Sequence, residues 1–118
     1  MSRIYLALVA AAVALAVAVA PALSATPKLV GTVGPGFSIT LTKGGTKVKS
    51  VKAGKYTITV RDKSNIHNFH LKGPGLNKAT SVSFVGNKSW TVTLKAGTYR
   101  YVCDPHASSM KGSFKVTA

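Results

Sequence analysis

The chain has 118 residues, enough for one domain with a single core and too short for two ordinary ones. Sixteen Lys and Arg stand against two acids, Asp62 and Asp104, for a formal charge of +14. One cysteine, Cys103, excludes a disulfide-stapled scaffold, two isolated acids argue against paired-carboxylate catalysis, and a 46% hydrophobic fraction argues against disorder.

The N-terminus differs in character from the rest. Arg3 gives a basic start, Ile4 to Ala20 run apolar without a charge, Pro21 breaks the run, and small residues follow at Ala22, Ser24 and Ala25. That order predicts a secretory signal peptide over residues 1–24, cleaved after Ala22 or Ser24. The competing reading is an uncleaved anchor, but a helix of that run spans roughly 25 Å, short of a hydrocarbon core. No cysteine lies near the cleavage site, which excludes a lipid-modified terminus. The mature chain, residues 25–118, would keep 15 basic residues and a charge of +13.

From Thr26 onward the apolar pattern has period two, the signature of half-buried strands. Phe37, Ile39 and Leu41 form one inward set; Tyr56, Ile58 and Val60 form the next. Trp90, Val92 and Leu94 follow, then Tyr99, Tyr101 and Cys103, then Phe114 and Val116. Thr and Lys fill the alternate, solvent-facing positions. Turn signals separate the runs at Gly34-Pro35-Gly36, Gly44-Gly45, Ala53-Gly54, Gly73-Pro74-Gly75, Gly86-Asn87 and Ala96-Gly97. Seven or eight short strands at this spacing predict an all-β sandwich or flattened barrel.

The chemistry is concentrated after the fourth of those runs. Cys103, His106 and Met110 lie on one short stretch, Cys103-Asp104-Pro105-His106-Ala107-Ser108-Ser109-Met110. A thiolate, an imidazole and a thioether together suit a soft or borderline metal ion. Gly112 would let the chain turn into the last strand. A second imidazole must come from His67 or His70, and strand parity separates them. His67 shares a face with Phe69 and Leu71, whereas His70 shares the opposite face with Asn68 and Lys72. His67 is therefore the inward candidate, and His70 a solvent-facing strand residue.

His67-Asn68, the run Gly97-Thr98-Tyr99-Arg100-Tyr101-Val102-Cys103-Asp104-Pro105-His106, and Met110 together resemble the plastocyanin/azurin-type cupredoxins over essentially the whole mature chain. The resemblance implies a Greek-key β-sandwich, export from the cytoplasm, and one type 1 copper ion that shuttles single electrons. It implies His67, Cys103 and His106 in a trigonal plane about the copper, with Met110 as a long axial ligand. It also implies that Asn68 ties the two ligand-bearing segments together by hydrogen bonds. Two departures stand out. Three residues separate His106 from Met110, a spacing between those of plastocyanins and amicyanins. Val102 occupies the place where plastocyanins carry a tyrosine, and their acidic patch has no counterpart here.

Taken singly, each of these residues has a plainer reading: a strand cysteine is usually a small hydrophobe, and a methionine usually fills core space. Their coincidence in one order overrides it. Asp104 reads as a loop-capping acid rather than a ligand, and Tyr99 and Tyr101 as core aromatics. The lysines admit solvated strand faces, edge-strand protection, or a docking field for an acidic partner. Nucleic acid is disfavoured by the export signal and by the scatter of lysines at alternate positions.

The expected function is an exported, monomeric copper protein carrying one electron between redox partners, with no reaction of its own to catalyse. The expected location is periplasmic or extracellular, with concentration at an anionic cell surface as a further outcome of the charge, and no stable membrane insertion after cleavage. The partner would be a redox protein with an acidic docking face. A copper storage or delivery protein using the same site is the alternative, and a metal-free immunoglobulin-like domain the third class, which Cys103 makes unattractive.

Overall fold

The structure, a computed structural model, describes residues 25–118. The signal segment, residues 1–24, lies outside the described residues. Ten strands follow in chain order: β1 Lys28–Val33, β2 Ile39–Lys43, β3 Thr46–Lys47, β4 Ser50–Lys52, β5 Gly54–Asp62, β6 His70–Gly73, β7 Leu76–Ala79, β8 Gly86–Leu94, β9 Gly97–Val102 and β10 Lys111–Thr117. They form two five-stranded sheets, ordered β3-β2-β1-β5-β8 and β4-β10-β9-β6-β7. Two pairings are parallel, β1 with β5 and β4 with β10, and the others are antiparallel. A single 3-10 turn, Asp104–His106, interrupts the strands.

The predicted all-β sandwich is correct, and the five alternating runs became β2, β5, β8, β9 and β10. Ten strands replace the expected seven or eight because short edge strands count separately. The Gly44-Gly45 turn leaves β3 only two residues long, and β4 has three. Each of the four edge strands, β3, β8, β4 and β7, carries a lysine: Lys47, Lys88, Lys52 and Lys78. A charged side chain there discourages pairing with another chain's edge.

The core lies between the sheets. Leu29, Leu41, Ile58 and Val60 face it from one side; Leu71, Tyr99, Tyr101 and Phe114 face it from the other, all essentially inaccessible. Phe69, just ahead of β6, stacks on Tyr101 with ring centroids 5.6 Å apart and planes 9° from parallel. Tyr99 stacks on Phe114 at 5.4 Å. The Tyr99 hydroxyl donates to the Pro74 carbonyl at 2.8 Å and accepts from the Lys95 N–H at 2.9 Å, so its polar end is satisfied. Truncating such a buried ring costs about 3–5 kcal/mol.

Two glycines make this packing possible. Gly31 in β1 occupies an inward position where a Cβ would lie 2.7 Å from the Phe69 ring. Gly112 was expected to help the chain turn; instead it sits within β10 opposite Tyr101, and a Cβ would collide with that ring. The aromatic layer thus presses directly on backbone. It also forms the floor of the chemical site, since Phe69 follows His67 by two positions and Tyr101 precedes Cys103 by two.

Candidate metal centre

The site lies at one end of the sandwich, where β9 ends and β6 and β10 begin. Cys103 is the first residue beyond β9 and continues its inward parity, which leaves its sulfur fully buried. The 3-10 turn then reverses the chain. The His106 N–H donates to the Cys103 carbonyl at 3.0 Å, and the Met110 N–H donates to the His106 carbonyl at 2.8 Å. The Cys103 N–H closes the loop on the Met110 carbonyl at 3.0 Å. The spacing from His106 to Met110 therefore closes as a single i to i+4 turn, and Met110 ends up 1% exposed beneath it. Pro105 restricts the turn further by removing one backbone degree of freedom.

His67 approaches from the segment between β5 and β6. It is fully buried, as parity predicts, although the strand itself begins only at His70. Its Nδ1 lies 3.6 Å from Cys103 Sγ and 3.1 Å from His106 Nδ1, while His106 Nδ1 lies 3.6 Å from the same sulfur. Three donor atoms of the predicted set thus converge on one point. The centre of a triangle with these sides is about 2.0 Å from each corner, close to the ~2.0 Å and ~2.3 Å that nitrogen and sulfur ligands prefer to a first-row divalent ion. The donor set and its size are compatible with one copper ion. Met110 is the buried end of the same loop, anchored through its backbone to both Cys103 and His106.

Asn68 proves the chief brace. Parity alone would turn it outward, but it is 2% exposed. Its Oδ1 accepts from the Asp104 N–H at 2.7 Å, and its Nδ2 donates to the Asp104 carboxylate at 2.8 Å and to the Thr80 carbonyl at 3.2 Å. The Asn68 backbone N–H points at Cys103 Sγ from 3.5 Å. Thr80 completes the clamp: its Oγ1 accepts from the Phe69 N–H, and its own N–H donates to the Phe69 carbonyl. The segment bearing His67 and the loop bearing Cys103 and His106 are therefore joined without any metal.

Asp104 is the loop acid the sequence suggests, and His70 is more than a solvent-facing residue. His70 Nδ1 meets the Asp104 carboxylate at 2.9 and 3.0 Å, and its Nε2 meets Asn77 Oδ1 at 2.6 Å. The expected solvent-facing strand residue is on β6 and only half-buried, but pairing with β7 and the nearby loop after β9 bring an acceptor to each ring nitrogen. Burial alone would raise the Asp104 pKa. The hydrogen bonds from Asn68 and His70, with the charges of His70 and Lys72, outweigh it and hold the carboxyl below its ordinary value.

Phe37 is the clearest departure. Alternation with Ile39 and Leu41 predicts a core side chain, yet it is 67% exposed. It lies in the bend before β2, where the alternation no longer applies, and its ring stands edge-on to both His67 and His106 at 5.2 and 5.1 Å. Phe37 therefore covers the two imidazoles and leaves His106 half-buried, with part of its ring accessible. Nothing in the linear pattern marks this role.

One further acid approaches the site. Asp62, the last residue of β5, is 2% exposed, and burial raises its pKa despite the Ser64 N–H on its Oδ1 and the nearby His67. Among the described residues, its Oδ2 and His67 Nε2 are the buried side-chain polar atoms without a hydrogen-bond partner.

A two-sheet sandwich with a His-Cys-His cluster at one end, His67 and Cys103 buried and His106 half-buried, defines a small all-β copper protein. The chain belongs to the copper-binding proteins of the plastocyanin/azurin family, whose model matches residues 38–117. Reduced rusticyanin shares 28% identity over 78% of this chain and 79% of its own, with a TM-score of 0.59. Rusticyanin from Thiobacillus ferrooxidans shares 27% identity over 78% of this chain and 77% of its own, with a TM-score of 0.55. A heme-copper terminal oxidase dimer has the same fold in one chain, at 18% identity over 75% of this chain and 62% of that one, with a TM-score of 0.53. No curated protein matches the chain by sequence.

Proposed function

We propose that the protein is an exported one-electron carrier, in which His67 Nδ1, Cys103 Sγ and His106 Nδ1 would hold a single copper ion, with the Met110 thioether as the fourth donor. The observation that carries this reading is the convergence of three donors, 3.1 to 3.6 Å apart, on two segments that the Asn68 side chain ties together. Bound copper would supply the exchange between Cu(II) and Cu(I). The chain's part is to keep the donors still between the two states. Asn68, Thr80 and the His106–Met110 turn restrain both ligand-bearing segments, and Phe37 and the aromatic floor exclude water. Rigidity of this kind favours rapid electron exchange over metal release. A delivery protein needs donors that a second protein can reach, whereas His67, Cys103 and Met110 are buried.

The exposed part of the His106 ring, beside Phe37, is the shortest way from the site to a docked partner, and Val102 offers no aromatic alternative. The charge of +13 on residues 25–118 supports a partner with an acidic docking face, whose encounter would be steered electrostatically and weakened by salt. Export rests on the basic, apolar and small-residue order of residues 1–24. Among the described residues, no helix is long and apolar enough to cross a membrane.

Adding Cu(II) to purified residues 25–118 should produce an intense visible thiolate-to-copper charge-transfer band, and Cys103→Ser should abolish it while leaving the far-ultraviolet β signal unchanged. A wild-type chain that binds Cu(II) and stays colourless would overturn the type 1 assignment.

A further inference from the structure

The strand register sorts the charges along the sandwich. β5 ends at Asp62 beside the site and begins at Gly54 at the other end; β10 starts at Lys111 beside the site and runs away from it. The seven residues of β10 span about 20 Å between the two ends. Both acids of the chain, Asp62 and Asp104, lie at the copper end. The far half carries exposed lysines with no acidic side chain among them. Lys28 opens β1 opposite Thr57, Lys52 pairs with Thr117, and Lys55 pairs with Thr93. Lys43, Lys47 and Lys49 line one shallow groove on the β2–β3 hairpin and the chain entering β4. The chain preceding Lys28 also leaves from this end, where the Pro27 carbonyl accepts from the Thr57 N–H at 2.9 Å.

We propose that this distal lysine pole docks on an anionic phospholipid surface, holding the protein with its copper end turned away from the bilayer. Charge complementarity favours an extended anionic surface, which meets all of these lysines at once, over a small soluble partner. Lysines near an acidic lipid surface add attraction that decays within a Debye length, about 8 Å at physiological salt. Only a surface that gathers them on one side gains from all of them together. Strand-edge protection accounts for Lys47 and Lys52 but not for Lys28, Lys43, Lys49 and Lys55, nor for the segregation of both acids to the opposite end. The orientation rests on the carrier reading above, because it leaves His106 free for the redox partner. The binding itself does not depend on copper.

Copper-free residues 25–118, which contain both sheets and the whole core, would be sedimented with vesicles of phosphatidylcholine, alone or mixed with phosphatidylglycerol. Binding is expected only to the mixed vesicles and should weaken steeply with salt. The triple variant Lys43→Glu/Lys47→Glu/Lys49→Glu should reduce partition about tenfold or more. Lys63→Glu/Lys72→Glu/Lys111→Glu, with the same change in net charge at the copper end, should reduce it far less. Lys43→Gln/Lys47→Gln/Lys49→Gln serves if the charge reversal disturbs folding, and should give a smaller loss in the same direction. Equal losses at the two ends, equal binding to neutral vesicles, or tighter binding of the distal pole to dextran sulfate than to mixed vesicles would each overturn the proposal. Because the readout is copper-free, failure here leaves the carrier assignment standing, and a colourless copper complex leaves the membrane proposal standing.

Discussion

Asn68→Ala tests whether the site is built before metal arrives. The substitution removes three hydrogen bonds, to the Asp104 N–H, the Asp104 carboxylate and the Thr80 carbonyl. Thr80 is 3% exposed, so water cannot readily replace the bond to its carbonyl, and losing that partner alone costs about 1 kcal/mol or more. The Asp104 side chain is 48% exposed, so solvent recovers part of the other two bonds. A total of about 3 kcal/mol follows, a large fraction of the ~5–15 kcal/mol that holds a domain together. Urea denaturation of the copper-free wild type and variant, at equal slope, measures the difference directly. The variant should also bind copper more weakly, because its two ligand-bearing segments would no longer be fixed relative to each other. A loss below about 1 kcal/mol in the copper-free protein would refute the reasoning. It would mean that the turn from Cys103 to Met110 and the aromatic floor hold the site, with Asn68 incidental.

His67→Ala should lose the visible copper band, whereas His70→Ala should keep it and lower stability through the loss of its bonds to Asp104 and Asn77; the reverse pattern in absorption spectra would contradict the donor set. Met110→Leu should retain copper and raise the reduction potential, because a weak sulfur donor to Cu(II) is lost, and voltammetry showing no change would place Met110 outside the coordination sphere. Asp62→Asn should stabilise the copper-free fold at neutral pH. Burial raises the Asp62 pKa above the ordinary 3.8, so its folded carboxyl holds a proton more tightly than the unfolded chain does. The cost of its charge is complete above the raised value and shrinks as pH falls through it towards 3.8, so the gap between variant and wild type in denaturation midpoints should narrow over that range. A gap independent of pH would show that Asp62 acts through packing and not through charge.

Much of the molecule was legible in the chain. Alternation placed the inward faces of β2, β5, β8, β9 and β10, because a half-buried strand exposes every second residue to a different solvent. The donor loop was legible because Cys103, His106 and Met110 lie close in sequence, and His67 because its neighbours Phe69 and Leu71 are apolar. The sequence determined these features locally. Tertiary structure decided the rest, where a residue's environment comes from a distant strand. β1 hides its alternation because Gly31 faces inward without a side chain, its place taken by the Phe69 ring. β7 is an edge strand with only Leu76 partly buried, so it has no apolar face to read. Phe37 leaves the core because the chain bends before β2, and His70 gains its partners from the loop after β9 and from β7. The gathering of both acids at the copper end likewise exists only in the folded register. Period two reports which side of its own strand a residue faces, and cannot report what another strand brings to that side.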